Sequence, residues 1–310
     1  MSIPLDVPEP VQQRAMANGP AGRRWLDELR EVVAVLADRW GLEVGRPLTG
    51  GTASFVVAVT DRSGRACVLK VAMPLEIDDG GAFSRSVLVH RIAGGRGCVR
   101  LLQQDETLPA VLLERLGPNL HALGMPLPQV LETIATTLRS FWRPADDDWA
   151  LPTGPEQAGW LADFIPRTWD ELGRPCSREV VDRALAYCAE RAAAFDPTGA
   201  VLVHGDAHGW NTLDAGGGTF KLVDPEGLRS EPAHDLGVPM REYNRPLLEG
   251  DTPRLARARA EHLAALCGVD AEAVWQWGFV ERVSTGLGGL RELDDDDESS
   301  AFLEVAERCL

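Results

Sequence analysis

Two short segments carry residues whose types and spacing suit phosphoryl transfer. In residues 201–211, V-L-V-H-G-D-A-H-G-W-N, an apolar run leads into Asp206, and Asn211 follows five positions later. After a G-G-G turn, residues 220–227, F-K-L-V-D-P-E-G, deliver Asp224. Phosphoryl transfer asks a protein for little covalent chemistry. It needs a carboxylate to orient an attacking hydroxyl and receive its proton, and oxygen ligands that hold Mg²⁺ on the nucleotide phosphates. Asp206 is the candidate base, and Asn211 and Asp224 are the candidate Mg²⁺ ligands.

The step from Asp206 to Asn211 equals the Asp-to-Asn step of the protein-kinase catalytic loop, where a strand-borne Asp also follows. A chain that uses ATP must also hold its phosphates, and the upstream sequence offers two features in the right order. The first is T-G-G-T-A-S, whose Gly50, Gly51, Thr52 and Ser54 form a glycine-bearing turn that lets backbone N–H groups approach phosphates. The second is V-L-K, where Lys70 lies between Leu69 and Val71 in an apolar run, as does the strand lysine that contacts the α- and β-phosphates in kinases. The helix expected next, F-S-R-S-V-L-V-H-R at 83–91, has no acid to pair with that lysine; Glu76, Asp78 and Asp79 precede it as possible substitutes.

The elements that must position these residues read as two lobes. Apolar residues at helical spacing mark 22–40 as an amphipathic helix whose stripe, from Trp25 to Trp40, is core. Two β-rich runs joined by R-S-G follow and end near Lys70, then a helix around 83–93 and a strand pair ending near Glu114. Gly117, Pro118 and Asn119 break the pattern, and the hinge is placed there. Downstream, helices are expected at 126–142, 155–171, 177–194, 251–267 and 271–292, interrupted by A-V-L-V-H-G-D and F-K-L-V-D-P-E as a strand pair around a loop. The fold class is α+β, with a small β-rich, nucleotide-binding N-lobe over 1–116 and a larger, mainly helical C-lobe over 117–310 that carries the catalytic loop and the substrate site. The acidic run 294–297 is read as a solvated tail or the C-terminal region of a helix.

Composition narrows the classes further. With 310 residues and 45% hydrophobic content the chain can bury a sizeable core. No apolar stretch approaches the ~20 residues of a membrane span, and the chain reads as cytoplasmic. Its six cysteines form no C-x-x-C pair, which argues against a zinc cage. The net charge of −16 repels nucleic-acid phosphates and suits a cationic small molecule.

With these residues in view, the chain resembles the aminoglycoside phosphotransferase superfamily, in its streptomycin kinase and hydroxyurea phosphotransferase branch. The resemblance runs through G-G-T-A-S-F (50–55), V-L-K-V (68–71), L-L-E-R-L (112–116), W-L-A-D-F-I (160–165), H-G-D-A-H-x-x-N, V-D-P-E-G (223–227), D-L-G-V-P-M-R-E-Y-N (235–244) and E-R-V-S-T-G-L (281–287). It implies a two-lobed protein-kinase-like fold, ATP and Mg²⁺ at an inter-lobe cleft, and adenine held by the backbone from Glu114 to Leu116. It also implies transfer of phosphate to a hydroxyl of an antibiotic-like molecule.

Candidates for holding a cationic acceptor on the C-lobe side of Asp206 are Asp163, Asp235, Glu242 and Glu281, with Trp160 and Tyr243 as walls; Asp235 could instead organise the loop beneath the catalytic segment. Two other readings stand beside the kinase. One is a nucleotide-binding protein with little or no turnover, motivated by the acid-free helix after Lys70. The other is a metallohydrolase using His204, Asp206 and His208, although His90, His121, His234 and His262 are scattered singly. A protein kinase is disfavoured because P-E-G, not F-G, follows Asp224.

Overall fold

The computed structural model of the chain describes residues 5–49, 51, 53–74, 81–292 and 296–310. It divides into two compact units, Met1–Gly117 and Pro118–Leu310.

The first unit opens with α1 (Glu9–Ala17) and α2 (Gly19–Trp40), and continues through β1 (Glu43–Pro47), β2 (Ser54–Thr60), β3 (Ala66–Ala72), α3 (Ala82–Ala93), β4 (Leu101–Gln104) and β5 (Ala110–Glu114). The strands form one antiparallel sheet in the order β1-β2-β3-β5-β4. Trp25, Leu29, Val33 and Leu36 recur every three to four residues on α2, so one stripe of the helix meets the sheet. Phe55, Val57, Leu69, Val71 and Leu112 complete that core from alternate strand positions. The residue of β3 between Leu69 and Val71 must point the other way, and this places Lys70 on the opposite face, in register with Val56 and Val111. The turn between β4 and β5 is built on buried Asp105. Its Oδ1 accepts from the backbone of Thr107 at 2.9 Å and Leu108 at 3.0 Å, and Arg39 of α2 donates to its Oδ2.

The second unit is mainly helical. Its first helices are α4 (Leu120–Leu123), α5 (Leu127–Phe141), α6 (Gly154–Glu171) and α7 (Arg178–Ala193). Four short strands follow: β6 (Val201–Val203), β7 (Thr212–Gly216), β8 (Thr219–Leu222) and β9 (Leu228–Ser230). The chain closes with α8 (Pro232–Met240), α9 (Asn244–Leu248), α10 (Thr252–Cys267), α11 (Ala271–Glu292) and α12 (Asp296–Arg308). Helix α11 is buried on most of its faces, with Trp277, Val280, Val283 and Leu287 fully or almost fully buried, and it lies inside the unit. It meets α8 where both carry glycine. A Cβ on Gly237 would lie 2.9 Å from the Trp277 carbonyl carbon, and one on Gly278 would lie 2.6 Å from the Met240 Cβ. Only glycine lets the two backbones approach this closely.

The strand pairing differs from the sequence expectation. The segment 201–203 does not pair with 220–223; β6 pairs with β9, and β7 pairs with β8. The reason is local. Gly216, Gly217 and Gly218 all have positive φ and close β7 onto β8 as a hairpin, while the 223–227 turn returns the chain to β6. The helices α8 and α9 were also not expected, since both are short and α8 contains Pro239. The acidic run is corrected too. Residue 296 opens α12 and Asp297 follows in its first turn, where a carboxylate is favoured by the helix dipole, while residues 294 and 295 lie outside the described residues.

Candidate active site

The loops that leave β6 and β8 carry the three catalytic candidates. Backbone bonds stitch the loops together: Glu226 N donates to His204 O at 2.9 Å, Gly227 N to the same oxygen at 3.1 Å, and Val223 N to Asn211 O at 2.9 Å. The last bond seats Asp224 directly after the residue bonded to Asn211. Asp224 has φ +58°, in the left-handed region a non-glycine residue rarely adopts.

Within the first loop, Asn211 turns its amide nitrogen onto Asp206, 2.8 Å from Oδ2 and 3.0 Å from the backbone oxygen. The Asn211 side-chain oxygen takes no part in these two bonds. With the Asp224 carboxylate it offers hard oxygen donors from neighbouring loop positions, a set that fits Mg²⁺. The His208 ring accepts from Trp210 N at 3.3 Å on Nδ1, which assigns its proton to Nε2, 3.2 Å from Asp206 Oδ2. His204 is fully buried, accepts from Asp206 N at 3.2 Å, and has its pKa lowered by burial against the pull of Asp235, Asp206 and Asp224. Both histidines therefore organise the loop, and among the described residues no His, Cys, Asp and Glu cluster has metal-binding geometry.

Helix α8 and the turn after it support this loop from below. Asp235 is fully buried; its Oδ2 accepts from His204 N at 2.8 Å and Trp142 Nε1 at 2.7 Å, and its Oδ1 accepts from Gly205 N at 2.8 Å. It cannot bind an acceptor, which corrects its place among the substrate candidates in favour of the loop-organising alternative. Glu242 is likewise committed: Gly209 N donates to its Oε2 at 3.0 Å, and His121 Nε2 lies 3.3 Å from its Oε1. Burial raises the Glu242 pKa, but the His121 bond, the nearby His208 ring and the Gly209 N–H outweigh it and leave the pKa lowered. Tyr243 stacks on His121 at 5.5 Å, and burial pushes its phenol up to about 12.

The structure adds residues that sequence reasoning missed. Arg241 donates from Nη2 to Asp206 Oδ1 at 2.6 Å and from Nη1 to Glu281 Oε2 at 2.7 Å. Burial opposes ionisation of Asp206, but His208 and Arg241 outweigh it and hold the carboxyl well below the usual carboxylate range. His121 and exposed Trp210 stack at 4.4 Å beside the loop. Arg241 lies within the D-L-G-V-P-M-R-E-Y-N segment, but nothing in that segment points to Asp206, 35 residues away.

Of the remaining acceptor candidates, Glu281 joins the site through Arg241, while Asp163 is exposed on α6 away from any described contact with it. Trp160 is exposed and stacks on Phe164 at 5.0 Å. Both rings line a cleft of about 490 Å³ with Thr285, Gly288, Arg291 and Glu298. Thr285 and Gly288 lie four and seven residues after Glu281, so they share its face of α11.

In the first unit, Lys70 sits on β3, Ser54 opens β2 opposite Ala72, and Glu114 ends β5 opposite Cys67. The Glu114 carboxylate accepts from Arg100 N at 2.7 Å, so it is spent on the chain itself; its backbone N also donates to Arg100 O at 3.0 Å. Gly51 is half-buried, and Leu116 lies in the segment after β5. Gly50, Thr52, Glu76, Asp78 and Asp79 lie outside the described residues.

A family model described as aminoglycoside/hydroxyurea antibiotic resistance kinase matches residues 39–295. The chain is 26% identical over 304 residues to a streptomycin 6-kinase of Streptomyces glaucescens, covering 97% of this chain and 94% of that protein. It is 28% identical over 306 residues to a hydroxyurea phosphotransferase of Kitasatospora aureofaciens, covering 97% and 84%. Its fold is similar to that of a choline kinase from Cryptosporidium parvum Iowa II, with TM-score 0.61 at 10% identity, covering 90% of this chain and 94% of that one. The architecture is thus protein-kinase-like, with a β-sheet N-lobe and a mostly helical C-lobe.

Proposed function

Since the chain belongs to the aminoglycoside/hydroxyurea antibiotic resistance kinase family, we propose that it transfers the γ-phosphate of ATP to a hydroxyl of a small cationic molecule of the streptomycin type, in the cytoplasm. The observation that carries this reading is the catalytic loop. Asp206 is fixed by Asn211 on one side and Arg241 on the other, with Asp224 brought alongside by the bond from Val223 to Asn211.

Asp206 orients the acceptor hydroxyl and takes its proton as the oxygen–phosphorus bond forms. As the new bond forms, the γ-phosphorus parts from the bridging oxygen of ADP, which leaves with that electron pair. Asn211 and Asp224 would hold Mg²⁺, which neutralises phosphate charge when bound. Lys70 would contact the nucleotide phosphates together with the segment of Gly51 and Ser54, and the backbone from Glu114 to Leu116 would hold adenine.

The acceptor would lie along α11, from Glu281 toward the cleft walled by Trp160 and Phe164. That cleft already accommodates a guanidinium on an aromatic face: Arg291 stands 5.0 Å over the Phe164 ring. Acidic Glu298 at its rim and the net charge of −16 suit a cation over a neutral or anionic acceptor. These features favour an aminoglycoside over hydroxyurea.

The test is ADP release with ATP and Mg²⁺ against streptomycin, other aminoglycosides, hydroxyurea and simple alcohols, with Asp206→Ala as control. Acceptor-dependent ADP release that disappears in the variant supports the assignment. ATP binding with no release for any acceptor would instead favour the nucleotide-binding protein without turnover.

A further inference from the structure

The turn after α8 is built to hold one side chain still. Arg259 of α10 donates to the Met240 carbonyl at 3.2 Å and to the Glu242 carbonyl. Arg282 of α11 donates to the same Met240 carbonyl and to Asn244 Oδ1. Both guanidinium groups are buried, which pushes their pKa values down to about 10 and about 9; the nearby charge of Arg259 adds to the fall at Arg282. Burying two cations is costly unless their donors are satisfied, and here the acceptors include the carbonyls on either side of Arg241, of Met240 and Glu242, besides Asn244 Oδ1. Tyr243 then leaves the turn with φ +56°, a conformation that persists in a non-glycine residue only when its surroundings enforce it. Glu281 faces the turn from the residue before Arg282.

The lone-pair inventory of Asp206 shows what this rigidity serves. A carboxylate offers about four acceptor sites. Oδ2 is filled by Asn211 at 2.8 Å and His208 at 3.2 Å, whereas among the described residues Oδ1 takes one donor, Arg241, at 2.6 Å. Oδ1 therefore keeps a second acceptor site, beside the one that Arg241 fills. From Glu281 the same face of α11 runs to Thr285 and Gly288 at the cleft.

We propose that Arg241 is a positioning residue that sets the plane of the Asp206 carboxylate and directs the open site of Oδ1 toward the acceptor, with buried Arg259 and Arg282 as its footing and Glu281 as its second anchor. The proposal rests on the phosphotransferase reading above. A bidentate guanidinium suits the role because it spans two carboxylates with fixed geometry, which a lysine ammonium cannot do.

The experiment compares wild type, Arg241→Ala, Arg241→Lys and Asp206→Ala in acceptor-dependent ADP release, with thermal unfolding of each. Arg241→Ala is expected to lose about 100-fold in kcat, the scale of a misplaced catalytic group, with KM for ATP unchanged. Added guanidinium ion should restore part of that rate in Arg241→Ala and none in Asp206→Ala, and Arg241→Lys should recover only a fraction. Undiminished kcat in Arg241→Ala overturns the proposal, as does a loss that guanidinium fails to restore in a variant that remains folded. A second readout needs no turnover: the Arg241 guanidinium signals in nitrogen-15 NMR of the full chain should shift in both Asp206→Asn and Glu281→Gln. Unshifted signals refute the bridge. If wild type gives no acceptor-dependent ADP, the phosphotransferase reading fails on its own, and the NMR arm still decides whether Arg241 holds Asp206.

Discussion

Replacing Asp235 by Asn separates a structural support from a substrate ligand without changing side-chain size. The native carboxylate accepts three donors, two on Oδ2 at 2.7 and 2.8 Å and one on Oδ1 at 2.8 Å. An amide has one oxygen. In its best orientation that oxygen keeps His204 N and Trp142 Nε1, and the NH₂ then confronts the Gly205 N–H. One hydrogen bond to a charged group is lost, about 1.5–3 kcal/mol, and the two that remain weaken because the acceptor is neutral. A total of about 3 kcal/mol is expected, which for a unit of roughly 200 residues lowers Tm by about 6–12 °C. Calorimetry on wild type and variant measures this directly. Because His204 and Gly205 lead straight into Asp206, kcat should fall as well, with little change in KM for the acceptor. A Tm within about 2 °C of wild type, or a raised acceptor KM with intact stability, would refute the reasoning and return Asp235 to the substrate site.

Asp105→Asn should cost about 1–2 kcal/mol at neutral pH. The buried Asp105 carboxyl is held down to about 2, because the bonds from Thr107, Arg39 and Leu108 outweigh the burial that opposes them. A depressed pKa stabilises above the unfolded value and is lost as pH falls from about 4 to about 2. Denaturant unfolding should therefore show the gap between wild type and Asp105→Asn closing over that interval; a gap independent of pH would contradict it. Gly278→Leu places a Cβ 2.6 Å from that of Met240. Such overpacking should cost about 1–3 kcal/mol and lower kcat, since Met240 directly precedes Arg241; unchanged unfolding and turnover would show the crossing to be tolerant. Trp160→Ala removes one wall of the cleft on α6 and α11, and should raise KM for the acceptor several-fold while leaving KM for ATP and Tm unchanged. An unaltered acceptor KM would move the acceptor elsewhere.

The parts of this molecule legible from sequence are those fixed over short distances. The α2 stripe follows from helical spacing, and Asp206, Asn211 and Asp224 lie within two consecutive loops whose spacing matches the chemistry required. Lys70 was legible because a lysine in an apolar strand is conspicuous, and strand alternation then fixes its face. The hairpin of β7 and β8 was misread because apolar runs carry no label of their partner, and three glycines with positive φ decided the pairing. Arg241 and Arg282 lie in quoted segments, 235–244 and 281–287, but their roles and that of Arg259 were not legible, for a related reason. Arginine in or beside helical sequence usually reads as a solvated charge, and its role here is set by a crossing of α8 and α11 that depends on Gly237 and Gly278 meeting backbone to backbone. Asp235 and Glu242 were noticed as acids, but only the burial of one and the bonds of both to loop N–H groups separate a support from a ligand.

Asp206 is the proposed base of a phosphotransfer to a small cationic acceptor. Phosphorus NMR of ATP, Mg²⁺ and streptomycin with wild-type protein, and with the isosteric Asp206→Asn, tests it most directly. A new phosphate ester signal should grow in step with ADP in the wild type and be absent or slowed at least about 100-fold in the variant. An ester formed equally fast by Asp206→Asn, or ADP accompanied only by inorganic phosphate in the wild type, would contradict the claim.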